Sequence, residues 1–223
     1  EAIREIAGAR RVRLFVHSLA NASVGRLVPA TGEGLAPRHF QKTFDSMAHS
    51  FVWWTQALVA RDLLAPGASL LGLSNPMVDT VVGGTALIAA SKAALEIYVR
   101  HLAQELGPRR HRVNLLKFGA VSTPAIRRTF GEADFAKLQS VLRRAVPAGR
   151  LLDADEVARV VLWLASEPAA FFNGATIDLT GGETQHLLQA LLHTSSSDDP
   201  PDAMAGETAG DPAGDLPDDP KET

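Results

Sequence analysis

The sequence predicts an α/β fold with a doubly wound parallel sheet, because short apolar segments alternate with longer segments of helical periodicity. The short segments are apolar almost throughout rather than at every second position, which is typical of strands buried on both faces. Strands in such an alternation are joined by right-handed crossovers and therefore run parallel. The predicted strands are residues 12–16, 69–73, 112–118 and 175–179.

The first long helix is predicted over residues 40–64. Large apolar side chains recur there at steps of three and four residues, as on one face of a helix. They are Phe44, Met47, Phe51, Trp54 and Leu58. Pro66 and Gly67 follow and predict the end of this helix.

Two more helices are predicted later in the chain. Residues 86–106 have helical spacing, and Gly107 with Pro108 predicts their end. Asp153 is a suitable N-cap for the amphipathic segment that follows it, because a carboxylate satisfies the free N–H groups of a first helical turn.

Composition excludes several classes of protein. The 223 residues are 46% hydrophobic, which suffices for one sizeable core, yet no apolar run reaches the roughly 18 residues that a bilayer crossing needs. The chain has no cysteine, which fits a reducing cytoplasm. Its histidines show no metal-ligand spacing, so no metal site is predicted.

The charge is unevenly distributed. The formal net charge is −3, but residues 194–223 hold nine acidic residues and one basic residue, so residues 1–193 carry +5. That body charge is too small to favour nucleic-acid binding. The last 30 residues also lack large apolar side chains. We therefore predict a folded domain over residues 1–193 and an acidic disordered tail, a solubilising appendage or else a partner-binding segment.

Six short motifs stand in the second long helix and near the predicted strand ends. They are His17-Ser18-Leu19-Ala20, Leu73-Ser74, Ser91-Lys92-Ala93-Ala94-Leu95-Glu96, Arg112-Val113-Asn114 with Gly119, Pro147-Ala148-Gly149-Arg150, and Gly174 with Asp178-Leu179-Thr180-Gly181-Gly182. In this order and spacing they resemble the short-chain dehydrogenase/reductase family and, within it, the enoyl-acyl-carrier-protein reductases. The resemblance covers residues 1–184.

The resemblance implies a Rossmann-like domain that binds NADH or NADPH. It also implies reduction of an enoyl thioester, carried by an acyl carrier protein, in fatty-acid or polyketide metabolism. Lys92 would hold the nicotinamide ribose hydroxyls. Other cofactor contacts would come from residues just beyond the strands, where ligands of such sheets lie: Ser18, Leu19, Ala20, Ser74, Gly119, Val121 and Thr123.

The family's catalytic tyrosine is missing. It stands four residues before the lysine in ordinary members and seven before it in enoyl reductases, where this chain has Ile88 and Thr85. A second tyrosine of the enoyl reductases aligns with Asn75. Tyr98 is the one tyrosine of the chain, but it follows Lys92 by six residues and so lies about 240° around the helix. Thr85 and Asn75 remain as weak candidate donors, and full family activity is not expected.

The front of the family's nucleotide fold has no counterpart in this sequence. Gly32-Glu33-Gly34 follows no strand, and the chain starts at Glu1, as a processed chain or a fragment would. Without three further strands, residues 12–16 would form an apolar sheet edge, which is an aggregation hazard. We therefore expect the natural chain or a partner chain to supply them; a degenerate remnant is the alternative.

Two rival functions stay open at this point. Gly72-Leu73-Ser74-Asn75-Pro76 resembles a nucleophile elbow, and Asp155 and His186 follow it in hydrolase order, although no helix is predicted directly after the serine. Alternatively, the chain is a catalytically silent homologue that binds an acyl carrier protein or pairs with an active paralogue.

A homo-oligomer is also expected. The family usually forms tetramers through the two long helices, here residues 40–64 and 86–106. Phe51, Trp53 and Trp54 fit such an apolar contact and fit core packing equally well.

Overall fold

Among the residues that the structure describes, the sheet is parallel and has four strands, as the sequence predicts. A computed structural model describes residue 5 and residues 11–121 and 132–186. The strands hydrogen-bond in sequence order, β1-β2-β3-β4, and every pair is parallel. They are β1 Val12–His17, β2 Leu64–Ser74, β3 Arg112–Phe118 and β4 Thr176–Leu179.

Helices connect the strands. A first helical run consists of α1 Pro37–Phe44, a π-turn at Asp45–His49 and α2 Ser50–Ala60. The later helices are α3 Ala86–Leu106, α4 Glu132–Ala145 and α5 Ala154–Ala165. Single 3₁₀ turns lie at Pro76–Val78, Gly107–Arg109 and Glu167–Ala169.

The predicted bounds of α3 and β3 are confirmed, whereas those of the first helix are wrong. The helical run begins at Pro37 and ends at Ala60. Pro66 and Gly67 lie within β2 instead of ending a helix. They fall in a bulge, because the register shifts between Val12 paired with Leu64 and Leu14 paired with Ser69. Pro66 and Gly67 are therefore accommodated in β2 at the point where its pairing with β1 is interrupted.

Side chains point alternately to the two faces of the sheet along each strand, and they form one hydrophobic core on each face. Leu70 and Leu115 pack in a core with α2 and α3, whereas Leu71 and Leu116 pack in a core with α5. Successive strand residues point to opposite faces, so helices cover both sides. The doubly wound arrangement is therefore confirmed.

Among the described residues, Phe51 is the largest fully buried side chain, and its ring stacks on Phe15 with centroids 5.8 Å apart. We expect Phe51→Ala to lower the free energy of unfolding by about 3–5 kcal/mol, because it opens a cavity between helix and sheet. Urea unfolding followed by circular dichroism measures this loss. Phe40→Ala, at a site that is 39% exposed, is the control and should cost under about 1 kcal/mol. Equal losses in the two variants would contradict the assigned core.

Within the described residues, β1 is paired on one side only, with β2. Within β1, Arg13 is exposed, the other residues of 12–16 are half-buried, and His17 is buried. The expectation that further strands cover this edge stays a prediction. Thr123 and the acidic tail at 194–223 lie outside the described residues. In the described part of the chain, no helix is both long and apolar enough to cross a membrane.

Candidate functional site

The loops after β1, β2 and β3 all begin at the carboxyl edge of the sheet. This is where ligands of doubly wound sheets bind, because the strands there diverge into separate loops. Ser18, Leu19 and Ala20 follow β1, and Ser74 ends β2. Gly119 and Val121 follow β3, and Val121 forms an isolated bridge with Leu152.

Lys92 lies at this edge and joins two of the loops. It stands in the second turn of α3, and only 4% of its surface is exposed. Its Nζ donates to the carbonyl oxygen of Leu73 at 2.7 Å and to that of Leu19 at 3.4 Å. Lys92 is therefore a buried lysine between the ends of β1 and β2, not a surface lysine.

Burial changes the proton affinity of two groups at this edge. It lowers the pKa of the Lys92 ammonium from 10.5 to about 8. Burial, together with the nearby Lys92 charge, lowers the pKa of His17 to about 4. At neutral pH the site thus contains one positive charge on Lys92 and a neutral imidazole on His17.

His17 opens the first of the six sequence motifs, but the sequence analysis assigned it no role of its own. Its Nε2 lies 2.8 Å from Ser50 Oγ, and the Ser50 hydroxyl donates to Ser46 O at 2.7 Å. Because that hydroxyl proton is already used, Ser50 accepts from Nε2–H and Nδ1 keeps the lone pair. The sequence signal for this role is slight: a polar residue at the end of an apolar strand.

Two buried polar atoms at this edge have no hydrogen-bond partner within the described residues: Ser74 Oγ and His17 Nδ1. Buried polar atoms are nearly always paired. The Lys92 ammonium and these two unpaired atoms all lie at the ends of β1 and β2, which fits a polar ligand that can both donate and accept hydrogen bonds.

Gly119 is fixed by a second buried group, Glu183, that the sequence analysis did not predict. A Cβ at Gly119 would lie 2.6 Å from Glu183 Oε2 and 3.2 Å from Thr180 O. The same carboxylate oxygen accepts from the Ala120 N–H at 3.0 Å. Burial raises the pKa of the Glu183 carboxyl, although this hydrogen bond opposes the shift. Glu183 thus holds the backbone just beyond β3.

The two candidate donors differ in what their side chains already bind. The Thr85 hydroxyl donates to Val82 O at 2.9 Å. The Asn75 Oδ1 accepts from the Met77 N–H at 3.1 Å, which leaves the amide Nδ2 as its donor. Asn75 is therefore the better placed of the two to donate to a ligand.

Tyr98 lies elsewhere, as its position on the helix predicts. Its hydroxyl is 3.1 Å from His49 Nδ1, in a groove of about 290 Å³ between α2 and α3. Lys92, by contrast, bonds to the strand-end carbonyls.

No hydrolase triad is assembled around Ser74 in the described part of the chain. Ser74 Oγ has no hydrogen-bond partner there, and His186 Nδ1 lies 2.9 Å from Gly182 O. A 3₁₀ turn at Pro76–Val78, not a helix, follows the serine. The nucleophile–base contact that such a reaction requires is missing.

The fold defines a Rossmann-like α/β domain with a candidate polar site at the carboxyl ends of its strands. The family model described as Enoyl-(Acyl carrier protein) reductase matches residues 2–184. The chain therefore belongs to the short-chain dehydrogenase/reductase family, close to its enoyl-acyl-carrier-protein reductases.

Curated relatives agree with this assignment. The chain is 29% identical to the enoyl-acyl-carrier-protein reductase (NADH) FabI of Escherichia coli (strain K12), over 75% of this chain and 62% of that protein. It is 39% identical to the 3-oxoacyl-acyl-carrier-protein reductase FabG of Pseudomonas aeruginosa, over 47% of this chain and 42% of that protein. The chain thus spans less than two thirds of these relatives.

Solved structures share the fold. The angucycline C-6 ketoreductase LanV with bound NADP superposes with a TM-score of 0.68 at 24% identity, over 82% of this chain and 67% of that one. A Serratia marcescens short-chain dehydrogenase/reductase variant superposes with a TM-score of 0.65 at 26% identity, over 78% of this chain and 66% of that one.

Proposed function

We propose that the chain is an NADH- or NADPH-dependent oxidoreductase that reduces an enoyl-acyl-carrier-protein or a related thioester. The observation that carries this proposal is the buried Lys92 ammonium between the ends of β1 and β2. A ribose diol suits these groups, because one hydroxyl can accept from the remaining Lys92 N–H and the hydroxyls can donate to the unpaired Ser74 Oγ or His17 Nδ1. Relatives named for NADH and for bound NADP support the choice of cofactor.

Each site residue has a distinct role in this proposal. Lys92 binds the nicotinamide ribose hydroxyls, and Ser74 supplies a further hydroxyl at the end of β2. The residues that follow β1 and β3 in the sequence would contact the nicotinamide and the pyrophosphate: Ser18, Leu19, Ala20, Gly119, Val121 and Thr123. The cofactor, when bound, supplies a hydride.

Exposed apolar side chains on the two loops that follow β1 and β2 support an acyl substrate. Large apolar side chains are exposed on the loop after β1 and on the loop between β2 and α3: Leu19, Val24, Leu27, Val28, Val81 and Val82. The two loops are joined where the Gly25 N–H donates to Gly84 O at 2.8 Å. Clustered exposed apolar residues mark a binding surface, and a thioester with a hydrocarbon chain suits this one.

The chain's own residues would have to stabilise negative charge on the thioester oxygen during reduction. Asn75 Nδ2 is the donor that fits, since the Thr85 hydroxyl is already bonded to Val82 O. An amide is a weaker acid than a phenol. We therefore expect slow turnover.

A second candidate function is that of a catalytically silent homologue that binds a partner. The observation in its favour is the arrangement of hydroxyls: Thr85 bonds to Val82 O, and the Tyr98 hydroxyl lies against His49. Such a chain would still bind the dinucleotide through Lys92.

The deciding experiment follows NADH and NADPH oxidation by absorbance with crotonyl thioester as substrate. Titration of each cofactor by its fluorescence runs in parallel on the full chain. Binding with slow turnover supports the reductase. Binding without turnover supports the silent homologue, and absence of binding contradicts both.

Partners are part of the same proposal: an acyl carrier protein as substrate carrier, and a second copy of this chain packed along the two long helices. Phe51 is buried in the core, whereas Trp53 and Trp54 are 52% and 47% exposed on α2. The tryptophans, not Phe51, are thus the surface residues available for such a contact.

We expect Trp53→Glu combined with Trp54→Glu to lower the oligomeric state, because two charges replace exposed apolar surface at the proposed contact. Size-exclusion chromatography with light scattering measures the mass. Val28→Glu, on an exposed loop, is the control and should leave the mass unchanged. A wild-type monomer, or a double variant of unchanged mass, contradicts this interface.

A further inference from the structure

The loop between β2 and α3, residues 75–85, leaves the sheet at Ser74 and leads into the helix that contains Lys92. It begins with Asn75 and ends at Thr85, and its exposed tip contains Val81 and Val82. Inside the loop, the Thr80 hydroxyl donates to Pro76 O at 3.1 Å. Such bonds shape the loop but do not attach it to the sheet.

Lys117, near the end of β3, makes that attachment. Its Nζ lies 2.5 Å from Asp79 Oδ2 in the loop and 3.2 Å from Asp178 Oδ2 on β4. Only 15% of the Lys117 side chain is exposed. One ammonium therefore joins three neighbouring segments at the carboxyl edge: the β2–α3 loop, β3 and β4.

The β4 end of this bridge is rigid. Asp178 Oδ1 accepts from the Thr180 N–H at 2.8 Å and from the Thr180 hydroxyl at 2.6 Å. Thr180 itself is buried. A carboxylate held by two hydrogen bonds loses little further entropy when it pairs with a cation, so the bridge does not resemble an isolated surface ion pair.

The protonation state of Lys117 also suits an anchor. Burial by itself lowers the pKa of Lys117, but its hydrogen bonds to Asp79 and Asp178 outweigh burial and raise the pKa above the ordinary value. The ammonium therefore stays charged at any pH at which the protein would be assayed.

We propose that Lys117 is a positioning residue that holds the β2–α3 loop against the sheet through Asp79, so that Asn75, Val81 and Val82 stay beside the acyl site. The attachment of the loop to the sheet depends on the ion pairs of Lys117 alone. The statement that the loop lies beside an acyl site, called the acyl part below, rests on the proposed function.

The first test is amide hydrogen exchange, read by mass spectrometry, of residues 76–84 in the full chain. Lys117→Met should speed exchange there by roughly three- to tenfold, because the loop loses its attachment to the sheet. Lys117→Arg should restore slow exchange, since it keeps the charge. Arg11→Met is the control: it removes a pair of the same length, Arg11 Nη2 to Asp62 Oδ2 at 2.5 Å, at the opposite edge of the sheet.

A second variant guards against loss of the fold. Asp79→Asn removes the attachment from the half-exposed loop side and should reproduce the faster exchange. If exchange over residues 76–84 in both Lys117→Met and Asp79→Asn equals that of Arg11→Met, the positioning role is overturned.

The acyl part has its own measurement. The dissociation constant of a dodecenoyl thioester of N-acetylcysteamine should rise about three- to tenfold in Lys117→Met, while that of NADH changes less than about twofold. Equal weakening of both ligands would overturn this part. A wild-type chain that binds no thioester, combined with faster loop exchange in Lys117→Met, contradicts the reductase proposal and leaves the positioning role supported.

Discussion

Lys92→Met is expected to weaken NADH binding about 10- to 100-fold, because charged hydrogen bonds to a ligand typically contribute roughly 1.5–3 kcal/mol. Methionine keeps the length and much of the volume of the lysine side chain, so the surrounding core should stay packed. NADH fluorescence titration measures the change. The same loss should develop in the wild-type protein as pH rises through about 8, where the Lys92 ammonium loses its proton.

Lys42→Met is the matched control, since Lys42 is exposed in the last turn of α1. It should bind NADH as the wild type does. Wild-type affinity in Lys92→Met would mean that the buried ammonium does not contact the dinucleotide.

Thr85→Tyr is expected to raise kcat for crotonyl thioester by about 10²- to 10³-fold, the usual contribution of one donor to a developing oxyanion. Thr85 stands at the position where the resemblance implies the phenol, directly before α3. The substitution gives up the Thr85 bond to Val82 O and places a larger ring at a buried site, which should together cost about 1–3 kcal/mol of stability. Steady-state kinetics measures the gain, and KM should change little.

Thr85→Phe distinguishes the effect of the tyrosine hydroxyl on kcat from the effect of the aromatic ring. It has nearly the same shape as the tyrosine variant but offers no donor, so it should stay at the wild-type rate. If Thr85→Tyr is no faster than Thr85→Phe, the site at Thr85 does not face the reacting oxygen.

Local signals predicted much of the fold. The bounds of α3 and β3 follow from signals within their own segments: helical spacing closed by Gly107 and Pro108, and an apolar run after them. The end of the first helix was predicted too late, because the apolar Leu63 and Leu64 follow it and the first helix-breaking residues in the sequence are Pro66 and Gly67. The chain turns at Asp62, whose φ is 52°, and that turn is not encoded in the periodicity.

Only part of the site was predicted, because sequence signals report local structure and not contacts between distant residues. Residues next to a strand end, such as Leu19 and Ser74, can be read from the order of elements. His17 and Lys117 depend on partners 33 and 38 residues away. Such contacts are settled by how the elements pack, so a single sequence gives no pattern from which to derive them.

The most direct test of the account is the pKa of Lys92, measured by NMR on protein labelled with ¹³C at the lysine Cε and assigned with Lys92→Met. A buried ammonium at the cofactor edge predicts a pKa of about 8 and a Lys92 resonance that shifts when NADH is added. A pKa near the ordinary value of 10.5, together with a Lys92 resonance that does not shift when NADH is added, would contradict the assignment of Lys92 to the cofactor site.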